Sequence, residues 1–581
     1  MKLFKSYELR VKRIAFLLFC SSAFLPLSTV FCQLSTREKP VSFLRNIPPL
    51  TLNEHTQKIM PFLDMVKIEK EDEDDNINGI PPRFGFPQDV DYDLDNSGEW
   101  IELENGDKIW RLNIICPNAK SVSLVYDAFW IPDGAKLFIY RDDLKQHIGA
   151  FTSRNNIGDV TQPRGFATGF VYGSSIIIEY YVPNELQEVG VISITKVVHG
   201  YRYFFDRDNY RDGYGSSGPC QVNINCPEGG NWQNEKNAVA LIASIGDARL
   251  CTGALINTTG EPYFLTADHC LNWGTDAITN PNIDTWVFYW HYESPECISA
   301  YDPPFISTAR AVVVANKYET DFALLKLVED PLDNFEITPY YLGWDRSDIA
   351  IEGGVGIYHP AGDIKKIATY ITIMDSTNCV YPPGSYWTIV FKKTESGHSV
   401  TEGGSSGSPL INAERRVIGQ LYGGGYHCGS TCRTNNAGGN SSYGKFSVSW
   451  TGNGAAEIER RLDYWLDPLN TGALTMDGSH GCRKNLTEHT ITTDINIVGC
   501  DNLLIQDITI SNDATVYISA GEMIWLMPGF HAEAGTNVSL SISTGKNATP
   551  QLQNGIKIVQ SLMMLLHIIM QRILLMIILM I

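Results

Sequence analysis

Along most of this chain the apolar residues fall in short alternating or continuous runs rather than at helical spacing. KIWRLNIIC (108–116), SVSLVYDAFW (121–130), AKLFIYRDD (135–143) and SIIIEYYVP (175–183) are separated by Pro, Gly, Asn and Asp. Runs of this kind bounded by turn formers predict the strands of a sandwich-like domain from about 95 to 200. Residues 215 to about 470 are again strand-like, with many glycine turns, and predict a barrel domain. That block closes on AAEIERRLDYWLDPL, where Ile458, Leu462, Trp465 and Leu466 recur at helical spacing ahead of Pro468 and predict one closing helix. Beyond 482, LLIQDITI, TVYIS, MIWLM and VSLSI are punctuated by Asn-Asp, Gly and Pro-Gly. They predict a small separate β module, either a sandwich or a short stacked array.

Four stretches depart from this pattern. Lys2, Lys5, Arg10, Lys12 and Arg13 precede IAFLLFCSSAFLPLSTVF, with a cleavage point expected after Cys32. A basic start followed by an apolar stretch predicts a secretory signal over 1–32, and hence a secreted, extracellular protein. Residues 33 to about 65 read as a loose leader, and EKEDEDD (69–75) as a solvated charged linker. GYRYFFDRDNYRDGY (200–214) reads as an exposed junction. The last stretch, within 549–581, ends in LMMLLHIIMQRILLMIILMI, long enough for a bilayer span but carrying Arg572 near its middle. Three origins stay open for this tail: a membrane anchor, a buried partner helix, or a reading-frame artefact. Any membrane association depends on it.

Composition narrows the function classes. A length of 581 residues exceeds a single core, so several domains are expected. The formal net charge of −20 disfavours a nucleic-acid partner, since binding that backbone requires clustered Lys and Arg. Cysteines crowd the region 220–432 (Cys220, Cys226, Cys251, Cys270, Cys297, Cys428, Cys432), which in an exported chain predicts disulfides. No C-x-x-C pair or H-x-x-x-H helix supports a zinc site, and no metal or cofactor is assigned.

The candidate chemistry lies in 215–470. VTEGGSSGSPL (400–410) sets Ser405 and Ser406 in a glycine cradle, and a serine hydroxyl needs a base within hydrogen-bond reach to act as a nucleophile. CTGALINTTGEPYFLTADHC (251–270) reads as two strands, the second ending at His269. A Cys251–Cys270 bridge would pin that histidine and contribute about 3 kcal/mol by loop closure. A histidine base needs an orienting carboxylate, and Asp321 in ETDFALLKL heads a run that reads as a buried strand. Asp268 is the weaker candidate, because on an extended chain its side chain points away from that of its neighbour. His359, in YHPAGD, is either structural or part of a substrate cleft.

The order His269, Asp321, Ser406 and the segments TADHC, DFALLKL and GSSGSP resemble the chymotrypsin-fold serine proteases, and most closely the secreted bacterial lysyl endopeptidases. GSSGPC (215–220), CPEG (226–229), VIGQLYGG (417–424) and YGKFSVSWTG (443–452) extend that resemblance in order through the block. It implies a mainly β protein with a chymotrypsin-like double β-barrel. The implied domains are a β-rich pro-region (33–214), a trypsin-like protease domain (215–478) and a β-rich C-terminal module (479–548). It further implies Ser406 as nucleophile, His269 as general base and acid, and Asp321 as orienting acid. The amides of Gly404 and Ser406 would form the oxyanion hole. The implied disulfides are Cys220–Cys428, Cys226–Cys297 and Cys251–Cys270, with Cys379–Cys432 and Cys482–Cys500 as further pairs.

Two departures matter. Ser405 stands where digestive enzymes carry an activating Asp, and no Ile-Val-Gly-Gly start is present. Residues 33–214 are therefore expected to act as an intramolecular chaperone or inhibitor, removed near Gly215. The Asp by which lysyl endopeptidases bind the substrate lysine is replaced by Ser441, so Glu402 is the nearby acid that could compensate. The expected function is a secreted serine endopeptidase acting on proteins or peptides, with the lysine preference open. The alternative is a surface adhesin with an inactive protease-like domain. The absence of a G-x-S-x-G elbow argues against an esterase.

Overall fold

The computed structural model describes residues 38–45, 47–202, 217–258, 260–272, 277, 280–298, 305–333, 339–375, 383–424, 440–491, 494–542 and 556–557. The expected export signal at 1–32, the expected cleavage junction before 215, Cys379, Cys428, Cys432 and the apolar tail beyond 557 lie outside the described residues.

Alternation builds the N-terminal domain. Ile176, Ile178, Tyr180 and Val182 are buried on one face of the strand Ser175–Val182, against Trp110, Leu112 and Ile114 of Lys108–Ile115. Two sheets result. One runs Gln57–Ile59, Lys108–Ile115, Ser175–Val182, Lys136–Arg141, His147–Phe151, and the other Val171–Tyr172, Ser121–Trp130, Val191–Gly200, Gly85–Asp93.

Regular structure thus begins well before 95, and two expectations are corrected. The leader contributes Gln57–Ile59, paired in parallel with Lys108–Ile115. The acidic run is not a solvated linker but part of the helix Met65–Ile77, capped by the Asp64 carboxylate on the Lys67 amide. Its acids face Arg83, Arg202 and Arg249. Arg202 and Arg249 are remote in sequence from the run, while Arg83 lies 11 residues from Asp72, so the full neutralisation is not visible in the run itself.

Two β-barrels follow. The first is a seven-stranded antiparallel sheet in the order Ile306–Ala309, Trp286–Trp290, Val239–Ser244, Arg249–Leu255, Tyr263–Ala267, Phe322–Leu327, Ala311–Lys317. The second runs Pro409–Asn412, Gly354–Tyr358, Lys366–Asp375, Tyr386–Phe391, Asn440–Lys445, Arg416–Gly424, Gly343–Asp345, and Pro409–Asn412 also pairs with Arg416–Gly424. This is the chymotrypsin-like double barrel. The closing element is shorter than expected: Ile458–Arg460 and Asp463–Leu466 form two separate turns, with Leu462 and Leu466 buried.

One apolar cluster runs from the N-terminal domain (Phe84, Leu124, Phe170) onto the first barrel (Leu241, Ala243, Leu250, Tyr289). Phe170 stacks on Tyr289 at 5.3 Å, and its amide donates to the tyrosine hydroxyl at 3.2 Å. The C-terminal module is a stack of parallel strands (Arg483–Ile491, Ile495–Ile510, Thr515–Ala520, Asn537–Ile542), which resolves the choice between sandwich and array in favour of the array. Disulfides join Cys226–Cys297, Cys251–Cys270 and Cys482–Cys500. Cys220 is also disulfide-bonded, and its expected partner Cys428 lies outside the described residues. Among the described residues no helix is long and apolar enough to cross a membrane.

Candidate active site

Strand register sets the first half of the site. Tyr263–Ala267 pairs antiparallel with Phe322–Leu327, Ala267 opposite Phe322, so positions 268 and 321 face each other just past the strand ends. The Asp268 amide donates to the Asp321 carbonyl at 3.0 Å. The chain then turns into a short helix at Asp268–Asn272, so the strand ends two residues before His269 rather than at it. Asp321 adopts φ +53°, a left-handed conformation that Asp tolerates better than most side chains. Its carboxylate folds back on the histidine. Oδ1 accepts from the His269 backbone amide at 2.9 Å, and Oδ2 meets Nδ1 at 2.8 Å. Asp268 points elsewhere, accepting from Asn316 at 2.6 Å. The Cys251–Cys270 disulfide holds this turn to the adjacent strand, as expected.

Electrostatics follow from that geometry. Burial disfavours the charged imidazolium, but the Asp321 carboxylate, its hydrogen bond and Asp268 outweigh it and raise the His269 pKa above its ordinary 6.5. The buried Asp321 side chain (1% exposed), held against Nδ1, therefore favours the imidazolium that forms when the ring accepts a proton.

The second half is the turn between Glu402 and Pro409. Gly404 has φ +92°, and a Cβ there would lie 3.0 Å from the His359 carbonyl and 3.2 Å from the Ala361 amide. Gly407 has φ +81°, and a Cβ there would overlap Thr252 and Thr266 and lie 2.7 Å from the Ala267 amide. The turn thus abuts the strand that leads into His269. Thr252 ties the two together: its amide donates to the Ser406 carbonyl and its hydroxyl to the Gly404 carbonyl, both at 2.8 Å. Amides of Ser405, Gly407 and Ser408 are taken by Glu402, Leu421 and Ser405 carbonyls. Those of Gly404 and Ser406 enter no hydrogen bond among the described residues. Ser406 is half-buried, and Nε2 of His269 has no hydrogen-bond partner among the described residues. Catalytic hydrogen bonds in unliganded sites commonly tighten only when substrate closes them.

His359 is fully buried and stacks on Tyr292 at 5.9 Å, behind the turn rather than in a cleft. Burial, with Lys365 nearby, pulls its pKa down to about 3, so it is neutral. Ser441 is buried and shares a 2.7 Å hydrogen bond with the Thr401 hydroxyl. The Glu402 carboxylate is engaged by the Gly218 amide at 3.1 Å and by Gln221 Nε2 at 3.0 Å. Sequence reasoning does not single out Thr252, or Tyr422, whose ring lies 5.9 Å from that of His269 and is 41% exposed. Both act through three-dimensional adjacency, which no spacing marks. Among the described residues no group of three or more His, Cys, Asp or Glu is placed to hold a metal ion.

Residues 214–444 match the family described as lysyl endopeptidase, C-terminal domain. A curated relative, the lysyl endopeptidase of Pseudomonas aeruginosa, is 28% identical over 296 residues, 47% of this chain. The match spans 60% of that relative's length. Among solved structures, the active form of a Mycobacterium tuberculosis protease is 16% identical, with a TM-score of 0.25 and coverage of 46% of this chain and 96% of its own. A serine endoprotease of Yersinia pestis is 14% identical, with a TM-score of 0.25 and coverage of 39% and 65%. The fold assignment rests on the strand order and register described above.

Proposed function

Taking this chain as a lysyl endopeptidase-like protease, we propose that it is a secreted serine endopeptidase hydrolysing protein or peptide substrates through an acyl-enzyme. Its single strongest support is the double engagement of His269 by Asp321, through Nδ1 and the backbone amide together. That arrangement leaves Nε2 as the only ring nitrogen able to accept a proton from a serine. Ser406 Oγ attacks the scissile carbonyl, His269 takes its proton and then delivers it to the leaving amine, and water reverses the sequence. The oxyanion is received by the Gly404 and Ser406 amides, which enter no other hydrogen bond among the described residues.

The P1 residue we propose is neutral. From 403 to 444 the chain contains one carboxylate, Glu414, and it pairs with Arg416 at 2.6 Å. The position expected to bind lysine holds Ser441, and Glu402 is already engaged by Gly218 and Gln221. A substrate ammonium buried there would lack a partner charge, which is costly.

Residues 33–214 act as a pro-region, exported with the protease and cleaved near Gly215. Labelling with a fluorophosphonate tests the reading. Rapid modification of the wild-type chain, abolished by Ser406→Ala, is expected; failure to label a folded, processed protein would refute it. The adhesin reading predicts that failure.

A further inference from the structure

Two glycines in succession leave the oxyanion turn without a preferred orientation of its own. Gly403 and Gly404 flank one peptide plane, and glycine on both sides lets that plane rotate at little cost. The plane carries the Gly404 amide. In a trans peptide the N–H and C=O point opposite ways, so whatever holds the Gly403 carbonyl aims the Gly404 amide. The holder is the Ala361 amide, which donates to the Gly403 carbonyl at 2.6 Å.

Ala361 does this from an unfavourable conformation. It sits at φ +52°, ψ +22°, a left-handed region where a side chain is costly, and such residues persist where their surroundings over-determine them. The turn from His359 to Asp363 is closed three times. The Asp363 amide donates to the Pro360 carbonyl at 2.9 Å, and the Gly362 amide to the His359 carbonyl at 3.3 Å. His359 Nδ1 meets the Asp363 carbonyl at 2.9 Å. A carbonyl only accepts, so the neutral ring carries its proton on Nδ1. Nε2 is buried and has no partner among the described residues, and the ring lies parallel to that of Tyr292. The Asp363 carboxylate is fixed in turn by the Ser217 hydroxyl, the Ile364 amide at 2.7 Å and Lys366 at 3.4 Å.

A second tether runs from the same turn. The His359 amide donates to the Thr252 hydroxyl at 3.1 Å, and that hydroxyl donates to the Gly404 carbonyl at 2.8 Å. The peptide planes before and after Gly404 are therefore both tied to the segment that His359 closes.

We propose that His359 is a positioning residue for the oxyanion hole, acting through the Ala361 amide and the Thr252 hydroxyl to aim the Gly404 amide at the substrate carbonyl. The proposal rests on the serine endopeptidase reading of the site. It gives a role to a fully buried imidazole that takes no part in the proton transfer.

The test compares the full wild-type chain with His359→Phe and His359→Asn. The first substitution keeps a ring packed on Tyr292 and removes the Nδ1 donor. The second places an amide donor where Nδ1 was. On a small ester, His359→Phe is expected to lower kcat at least tenfold, with KM changed less than twofold and the midpoint of the kcat/KM pH limb unmoved. The inhibition constant of a peptide boronic acid, whose adduct with Ser406 puts a charged oxygen in the hole, should rise in step. His359→Asn should stay within threefold of wild type. Thr252→Val, which removes the second tether at nearly constant volume, should show the same split and decides the question should His359→Phe fail to fold. An unchanged kcat in folded His359→Phe or Thr252→Val, a moved pH midpoint, or His359→Asn as slow as His359→Phe would overturn the proposal. Hydrogen exchange reads the same linkage without catalysis: the Ala361 amide should exchange at least tenfold faster in His359→Phe, and unchanged exchange would likewise overturn it. Faster exchange in a chain that never labels with fluorophosphonate would uphold the hold on the Gly403 peptide while refuting the peptidase reading.

Discussion

Asp321 grips His269 twice, Oδ1 on the backbone amide at 2.9 Å and Oδ2 on Nδ1 at 2.8 Å. One contact fixes where the ring is anchored and the other fixes its tautomer and plane. Replacing Asp321 by Asn keeps the volume but allows the amide to donate to Nδ1, which favours the wrong tautomer. The expected loss in kcat is about 10⁴-fold with little change in KM, measured on a small ester substrate.

The pH profile follows from the raised pKa of His269. Acylation needs the neutral ring, so kcat/KM should rise with pH along a limb whose midpoint lies above 6.5. In Asp321→Ala that midpoint should fall. The linked stability has the opposite sign. A folded-state pKa raised above the unfolded one contributes stability that is present below about 6.5 and is lost as pH rises through the folded value. Thermal melts of wild type and His269→Gln across that window would show the difference shrinking as pH rises.

Gly404→Ala tests the oxyanion turn. At φ +92°, a side chain there is strained and meets the His359 carbonyl and the Ala361 amide. Distortion of that amide should cost about 10²- to 10³-fold in kcat, with KM for a short substrate nearly unchanged. A matching loss in KM alone would place the glycine in binding instead.

A peptide panel varying P1 should favour neutral over lysine side chains in the wild-type protein. Ser441→Asp introduces a carboxylate at the position the resemblance marks for lysine binding. It should raise kcat/KM for lysine relative to a neutral P1 by about tenfold or more, since a buried charge pair gains where a lone ammonium does not.

Stability depends on a buried ion triad away from the site. Glu293 accepts from Lys236 at 2.6 Å and from the fully buried Lys365 at 3.1 Å. Burial opposes ionisation of Glu293, but the two lysines outweigh it and hold its pKa at about 2. That depressed pKa contributes stability present above its ordinary 4.5 and lost as pH falls towards 2. Glu293→Gln strands Lys365 and should cost about 3–5 kcal/mol in denaturant unfolding at neutral pH.

Much of the site was legible in the chain, because its parts are local. The TADHC and GSSGSP segments, the Asp at the head of DFALLKL and the cysteines flanking the histidine turn each carry their chemistry within a few residues. Alternating runs likewise announced the strands of both β-rich domains, and turn formers announced a small C-terminal β module, whose stacked form came from the structure. Three things were decided only by tertiary structure. The acidic run 69–75 became a helix face because Arg202 and Arg249, distant along the chain, join the nearby Arg83 in supplying its counter-charge. Glu402, the acid nearest to Ser406 in sequence, is engaged by Gly218 and Gln221. Pro81–Phe84, a short segment with no catalytic signature, pairs with the edge beside Ser406. Periodicity and short motifs encode which face of a strand is buried and which residues can do chemistry. They do not encode which remote edge or charge a segment will meet, because that depends on how separately formed elements pack.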